Sequence, residues 1–388
     1  MPDPVVSAEP LSSRDHELLP DERRDQLEDG VALCVSGGGY RAMLFHLGAL
    51  TYLSSQGLLP KIDRISSVSG GSITAAVLGH HWARLRFANN IASNFDDEIV
   101  ATIKKLASTT IDESSVIIGL LTPFVSISDR VIAAYDKNLF HGATLQDLPD
   151  RPRFVINATN VQSAALFRFS KPYIWDYRVG KVEAPKRKLA EAVAASSAFP
   201  PVLSPARLKF APSEFVPNTG TDLQREPFTS SVVLTDGGVY DNMGIETAWK
   251  RYRTILVCDA GGKTEPEGSP HSDPVRHALR INDVIDNQVR SLRKRQVISS
   301  FGAKTRLGSY WSIRGDITEY QTPNTLPCPI AATSRLAATA TRLKALPEIT
   351  QNQIINWGFA LTDAAIRAFV YPQLPAPAAF PLPGGVGA

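Results

Sequence analysis

Three short turns carry the residues of this chain whose types and spacing suit catalysis. The first, Ser36-Gly37-Gly38-Gly39-Tyr40-Arg41, follows an apolar run at residues 31–35 and opens a helical pattern. Successive glycines let a backbone turn sharply and come close to a ligand. Amides left exposed at a helix start form an anion site that the helix dipole reinforces. Gly37-x-Gly39-x-x-Ala42 also satisfies a loose dinucleotide fingerprint. That reading wants an acid closing the second strand, whereas Asp63 precedes it. A P-loop is excluded, because no Lys-Ser/Thr pair follows the glycines. For the glycines taken alone, a tight turn without further role stays open.

The second turn, Ser67-Val68-Ser69-Gly70-Gly71, again joins a strand pattern to a helix pattern. It has the form of the nucleophile elbow G-x-S-x-G, with Ser67 in place of the first glycine. The elbow needs a sharp, strained turn that lifts one serine oxygen out at the end of a sheet, and Gly70 and Gly71 leave room for it. Serine is small enough for a close turn, so Ser67 is expected to alter local geometry without loss of function. Ser69 would need a base within hydrogen-bond reach. His80 and His81 lie on the same predicted helix, roughly 16 Å up its axis at 1.5 Å per residue, and cannot reach it. His46 reads as a packed structural histidine, and His141, His271 and His277 have no motif around them. The third turn, Thr235-Asp236-Gly237-Gly238, ends an apolar strand pattern at residues 231–235. Open α/β sheets present functional groups at such strand ends, although an isolated Asp-Gly-Gly also serves merely to turn the chain.

These turns must be held by a sheet and its helices. Strand patterns fall at residues 31–35, 65–68, 153–160, 166–169, 231–235, 254–258 and 309–313, and long helix patterns at 275–299 and 351–370. Strand–turn–helix units at this frequency predict a three-layer α/β/α sandwich around a mostly parallel sheet. The chain has 388 residues, 43% apolar and 20% charged, enough for a sizeable core. With 41 Lys+Arg against 38 Asp+Glu the net charge is +3, which gives little support to nucleic-acid binding. Cys34, Cys258 and Cys328 lie far apart with no CxxC pair, so neither a disulfide scaffold nor a zinc site is expected, and Cys34 and Cys258 read as core thiols. No apolar run approaches the ~20 residues that span a bilayer, and the polar, acidic start is unlike a signal peptide. A cytoplasmic protein, peripheral at most to a membrane, is expected.

In this order and at these separations, GGGYR, SVSGG and TDGG resemble the patatin-like phospholipase family. Leu139-Phe140, Thr144-Leu145, Leu148-Pro149 and residues 154–160 are similar to its middle segment, AASSAFPP at 194–201 to its small-residue block, and Asp259-Ala260-Gly261-Gly262 to a strand end beyond its aspartate. The resemblance covers roughly residues 30–300. It implies a fold related to cytosolic phospholipase A2, with Ser69 as nucleophile and Asp236 as proton acceptor in a dyad without histidine. The amides of Gly37, Gly38 and Gly39 would form the oxyanion hole, with Arg41 flanking it, and no metal or cofactor is needed. The implied substrate is a phospholipid or related glycerolipid met in transient contact with a membrane surface. Alternatives are a lysophospholipase or soluble-ester esterase on the same fold, a vestigial lipid-binding protein, and, weakest, a dinucleotide-dependent oxidoreductase.

Residues 1–28 are expected to form a polar arm, 29–371 the hydrolase domain with a helical part at 330–371, and 372–388 a flexible tail rich in Pro, Gly and Ala. Residues 116–127 (VIIGLLTPFVSI) read as core, as an acyl-chain wall or as a lid. Arg290, Arg293, Lys294 and Arg295 are expected to end the long helix, either favouring its dipole or facing headgroups.

Overall fold

The computed structural model describes residues 27–111 and 126–387. The polar arm, apart from its last two residues, and residues 116–125 of the apolar stretch lie outside the described residues. Of that stretch, Ser126 caps a helix by accepting from the Asp129 N–H at 3.1 Å, and Ile127 is that helix's first residue.

Ten strands make one mixed sheet among the described residues. β1 (Glu28–Val35), β2 (Arg64–Val68), β5 (Arg153–Asn160), β11 (Tyr252–Asp259) and β12 (Leu307–Ser312) run parallel in the order β12-β11-β1-β2-β5. The antiparallel strands β6 (Ala165–Phe169), β7 (Tyr173–Asp176) and β8 (Gly180–Glu183) extend it beyond β5. β9 (Ala206–Lys209) and β10 (Ser231–Asp236) form an antiparallel branch joined to β5 through β10. A small hairpin, β3 (Phe87–Ala88) and β4 (Ile91–Ala92), stands apart. The sequence patterns found the long, apolar strands. They missed β7, β8 and β9, four residues each and too short to carry a period of two.

Helices cover both faces unequally. Side chains alternate across a strand, so Leu33 and Val35 join the large core and Ala32 and Cys34 the small one. The large core contains α1 (Gly39–Ser55), α2 (Gly70–His81), α5 (Leu189–Ser196) and α10 (Glu348–Phe369), together with α3 (Ala101–Ala107), α4 (Ile127–Tyr135) and α9 (Ile330–Ala337). The small core holds Met243 and Ile245, Ala248 of α7 (Glu246–Trp249) and Val297 of α8 (Pro274–Gly302). A four-residue turn, α6 (Gly238–Asp241), follows β10.

Two sequence expectations are revised here. The basic cluster lies inside α8, which continues to Gly302, and two of its members turn back to the protein: Arg290 lies 3.6 Å from Asp259 and Arg293 3.1 Å from Glu246. The segment after Tyr371 has no helix or strand, yet it is not a free tail. The Asn356 amide of α10 donates to the carbonyls of Leu382 (2.9 Å) and Gly385 (2.8 Å) and accepts from the Leu382 N–H (3.1 Å). Val386 is buried, and Leu374, Phe380 and Leu382 pack on the large core. Composition counted prolines and glycines and missed the three apolar side chains between them. Asn356→Ala should cost roughly 1–3 kcal/mol by leaving those backbone groups unpaired; an unchanged melting curve would show that the segment adds no stability.

Candidate active site

The Gly-rich turn leaves β1 and enters α1. Gly38 has φ 141° and Gly39 φ 59°, values that side chains strain to adopt. A Cβ at Gly38 would also lie 2.7 Å from the Ala260 carbonyl. The Gly37 N–H donates to the Asn242 carbonyl at 3.0 Å, so it is already engaged. This corrects the expected set of three amides: only those of Gly38 and Gly39 find no acceptor among the described residues. Arg41 is also more structural than expected. It is buried, and its guanidinium donates to the carbonyls of Ala260 (3.0 Å), Ala337 (3.3 Å) and Thr339 (2.6 Å). Burial, then the Arg314 charge, pulls its pKa down to about 10.

Ser69 leaves β2 and caps α2 with φ 51° and ψ −120°. A residue with a side chain costs about 1–3 kcal/mol in such a region and stays there only when its surroundings hold it. Here the hold is a buried cluster of serines. The Ser69 N–H donates to Ser196 Oγ at 2.9 Å, and Ser196 Oγ donates to the Asn157 carbonyl at 2.6 Å. Ser72 Oγ bridges Ser196 Oγ (2.9 Å) and Ser67 Oγ (3.0 Å). Ser67 thus occupies the place of the usual glycine inside this cluster, and the turn forms. Gly70 lets the two turns touch, since a Cβ there would lie 2.1 Å from the Gly39 carbonyl oxygen. Gly71 donates its N–H to the Ser36 carbonyl at 3.2 Å.

Asp236 approaches Ser69 from an antiparallel strand. β10 is antiparallel to β5, so the two residues do not stand on neighbouring parallel strands. β2 pairs with β5 up to Val68 opposite Asn157, and β10 takes over the same edge with Asp236 opposite Ala158. The two strands therefore point their C-terminal ends at each other. The Asp236 carboxylate accepts the Gly238 N–H at 2.7 Å, and the Ser69 hydroxyl is near enough to favour its ionised form. Burial pushes its pKa up to about 6, against the pull of the Gly238 N–H and the Ser69 hydroxyl and helped by the Asp286 charge.

The other candidates are engaged elsewhere. His46 is fully buried, with its ring nitrogens 3.1 Å from Cys258 Sγ and 2.9 Å from the Ser36 carbonyl. Burial drops its pKa to about 4, so it is neutral and braces the Gly-rich turn. His81 pairs with Glu98 at 2.9 Å. Asp259, which opens the Asp-Ala-Gly-Gly turn, accepts from Tyr310 Oη (2.7 Å) and the Gly261 N–H (2.9 Å). Burial would raise its pKa, but Arg290 and these bonds hold it below the ordinary value. Among the described residues no group of three His, Cys, Asp or Glu side chains is placed to hold a metal ion. Sequence reading did not single out Ser196, Asn157 or Asn242. Ser196 lay in the AASSAFPP block, where nothing local marked one serine from its neighbour.

A family model for patatin-like phospholipase matches residues 33–249, more than half of the chain and all three turns. The chain belongs to the patatin-like phospholipase family. A search of curated proteins finds none that matches. Among solved structures, human GIVD cytosolic phospholipase A2 is similar at 11% identity and TM-score 0.48, covering 90% of this chain and 60% of that one. The same human protein with methyl gamma-linolenyl fluorophosphonate and terbium chloride gives 13%, TM-score 0.49, 88% and 59%. VipD from Legionella pneumophila gives 14%, TM-score 0.34, 87% and 66%. The chain thus spans about three fifths to two thirds of the solved structures it matches. No described helix of this patatin-like chain is long and apolar enough to cross a membrane.

Ser196→Ala removes the acceptor of the Ser69 N–H and the donor to Asn157. It should lower stability by about 1–3 kcal/mol and slow covalent labelling of Ser69 by a fluorophosphonate. Wild-type melting and labelling would show that the Ser69 turn holds itself.

Proposed function

We propose that this protein is a serine acyl hydrolase that cleaves fatty-acyl esters of phospholipids or related glycerolipids, with Ser69 as nucleophile and Asp236 as proton acceptor. The observation that carries the reading is a strained, strand-end Ser69 whose hydroxyl acts on the buried Asp236 carboxyl where the ends of β2 and β10 meet along β5. Asp236 takes the hydroxyl proton as Ser69 Oγ bonds to the ester carbonyl carbon. The negative charge that develops on the carbonyl oxygen is met by the free amides of Gly38 and Gly39. Donors fixed in advance toward that oxygen stabilise the transition state by several kcal/mol elsewhere. Collapse of the tetrahedral intermediate breaks the bond to the leaving alcohol, which receives the proton from Asp236. Water then attacks the acyl-enzyme, again giving its proton to Asp236, and the fatty acid departs as Ser69 is restored.

A carboxylate is ordinarily too weak a base for a serine. Burial brings Asp236 to about 6, closer to the operating pH, where general-base catalysis is most effective. The neutral, engaged His46 leaves the proton transfer to Asp236.

Hydrolysis of phospholipids labelled separately at the sn-1 and sn-2 acyl chains tests the reading. Ser69→Ala should abolish both hydrolysis and fluorophosphonate labelling. Asp236→Asn keeps the shape but cannot take a proton, so turnover should fall by about 10²-fold or more in a folded protein. A histidine whose substitution matched that loss without unfolding would replace the dyad by a triad.

The pH profile is a separate test. Because Asp236 must be ionised to accept a proton, kcat/KM should fall as the pH drops through about 6. A flat profile from pH 5 to pH 8 (roughly one unit below and two above that value) would show that another group takes the proton.

A further inference from the structure

Asn242 stands directly after α6, and its backbone carbonyl is the acceptor that occupies the Gly37 amide. That bond pins the residue against the Gly-rich turn. Its side chain has no comparable engagement. The carboxamide is half-buried, forms no hydrogen bond among the described residues, and is not sealed from solvent. A polar group partly withdrawn from water without a partner costs free energy, so its complement must come from water or substrate.

The carboxamide oxygen faces the two candidate catalytic residues. A Cβ on Gly238 would stand 2.7 Å from Asn242 Oδ1 and 3.0 Å from Asp236 Oδ1. A Cβ on Gly37 would stand 2.6 Å from Asn242 Oδ1 and 3.2 Å from Ser69 Cβ. Two absent side chains thus leave open a small space bounded by Asn242, Asp236 and Ser69. Two of its walls are acceptor oxygens. Asn242 Oδ1 and Asp236 Oδ1 lie within the roughly 6 Å that one water spans with two bonds of about 3 Å each. The amide nitrogen is turned away from them, 2.9 Å from where a Cβ on Gly261 would stand.

The two half-reactions ask different things of this space. The serine hydroxyl has one proton, and Asp236 suffices to take it. Water has two, of which only one is transferred. An acceptor for the second O–H fixes the rotation of the water, so that its oxygen faces the acyl carbon on Ser69. A carboxamide suits that task, because it accepts a hydrogen bond without ionising and leaves the proton transfer to Asp236. A second carboxylate there would set two like charges side by side.

We propose that Asn242 Oδ1 holds the hydrolytic water, accepting one O–H while Asp236 accepts the other, and so acts in deacylation and not in acylation. The water oxygen bonds to the acyl carbon as one of its protons moves to Asp236. Collapse of the intermediate breaks the bond to Ser69 Oγ, which recovers that proton. The second proton leaves with the fatty acid. The inference rests on the acyl-hydrolase reading and adds to it the group that orients the water.

The test follows a short-chain p-nitrophenyl ester with the full chain, methanol being added as a competing nucleophile. Methanol has one O–H and needs no second acceptor. In Asn242→Leu, fluorophosphonate labelling of Ser69 should stay within about twofold of wild type. Free-acid formation should fall about tenfold or more, and the ratio of methyl ester to free acid should rise by a similar factor. Asn242→Ala should do the same where the larger Leu disturbs the turn. Asn242→Asp keeps an acceptor oxygen in place, so its product ratio should stay near that of wild type even where its turnover falls. A merely structural role would slow labelling and both products together. An unchanged product ratio in the Leu and Ala variants would overturn the proposal, as would labelling that falls in step with hydrolysis, the sign of a lost oxyanion donor. Wild type that neither labels at Ser69 nor releases product would remove the acyl-hydrolase reading itself, and this role with it.

Discussion

One edge of β5 is shared by two strands, and the candidate site depends on that sharing. β2 pairs along the first part of the edge and β10 along the last part, arriving from the opposite direction. β6 occupies the other edge from Ile156 to Asn160, the part where the ends of β2 and β10 meet. A chain leaving β2 at Val68 must turn at once to avoid the oncoming β10. That turn is Ser69, and the residue it meets is Asp236. The strained backbone of Ser69 and the burial of Asp236 are thus two results of a single collision of strand ends.

Such a collision is tolerable only if the polar groups it buries are paired. The serines do this. Ser196 stands at the end of α5 and takes the Ser69 N–H, gives its own proton to Asn157, and touches Ser72. It joins an element from the middle of the chain to the turn between β2 and α2. On the other side, Asn242 engages the Gly37 amide and His46 braces the Ser36 carbonyl. Only the next two amides are left without an acceptor among the described residues. The turn therefore keeps its unpaired donors at one place, where a developing negative charge could use them.

The charges near the site follow a similar division. Asp259 and Asp236 each end a strand of the sheet and each precede a pair of glycines, yet their environments separate them. Asp259 has Arg290, Tyr310 and the Gly261 amide, which hold it ionised despite burial. Asp236 has no cation among its influences, and burial dominates. A carboxylate kept ionised by a cation is a brace, whereas one whose pKa lies close to neutral can exchange a proton.

Local residue types were enough to find the three turns, the strands that carry them and the family. Glycines stand where side chains cannot fit, serine and aspartate where chemistry needs oxygen, and unbroken apolar runs where a sheet is buried. His80 and His81 could likewise be set aside without the fold, because their distance from Ser69 along one helix needs no tertiary information. Only the fold decided that Gly37 is occupied, that Arg41 holds carbonyls, and that Ser196 supports the turn. These depend on groups from Asn242, Ala260, Thr339 and Asn157, far away in the chain, and residue type does not say which of several donors reaches which acceptor. The direction of β10 was hidden for the same reason. A strand pattern has a period but no polarity toward its neighbours, so whether Asp236 met Ser69 side by side or head-on was settled by which edge of β5 remained free.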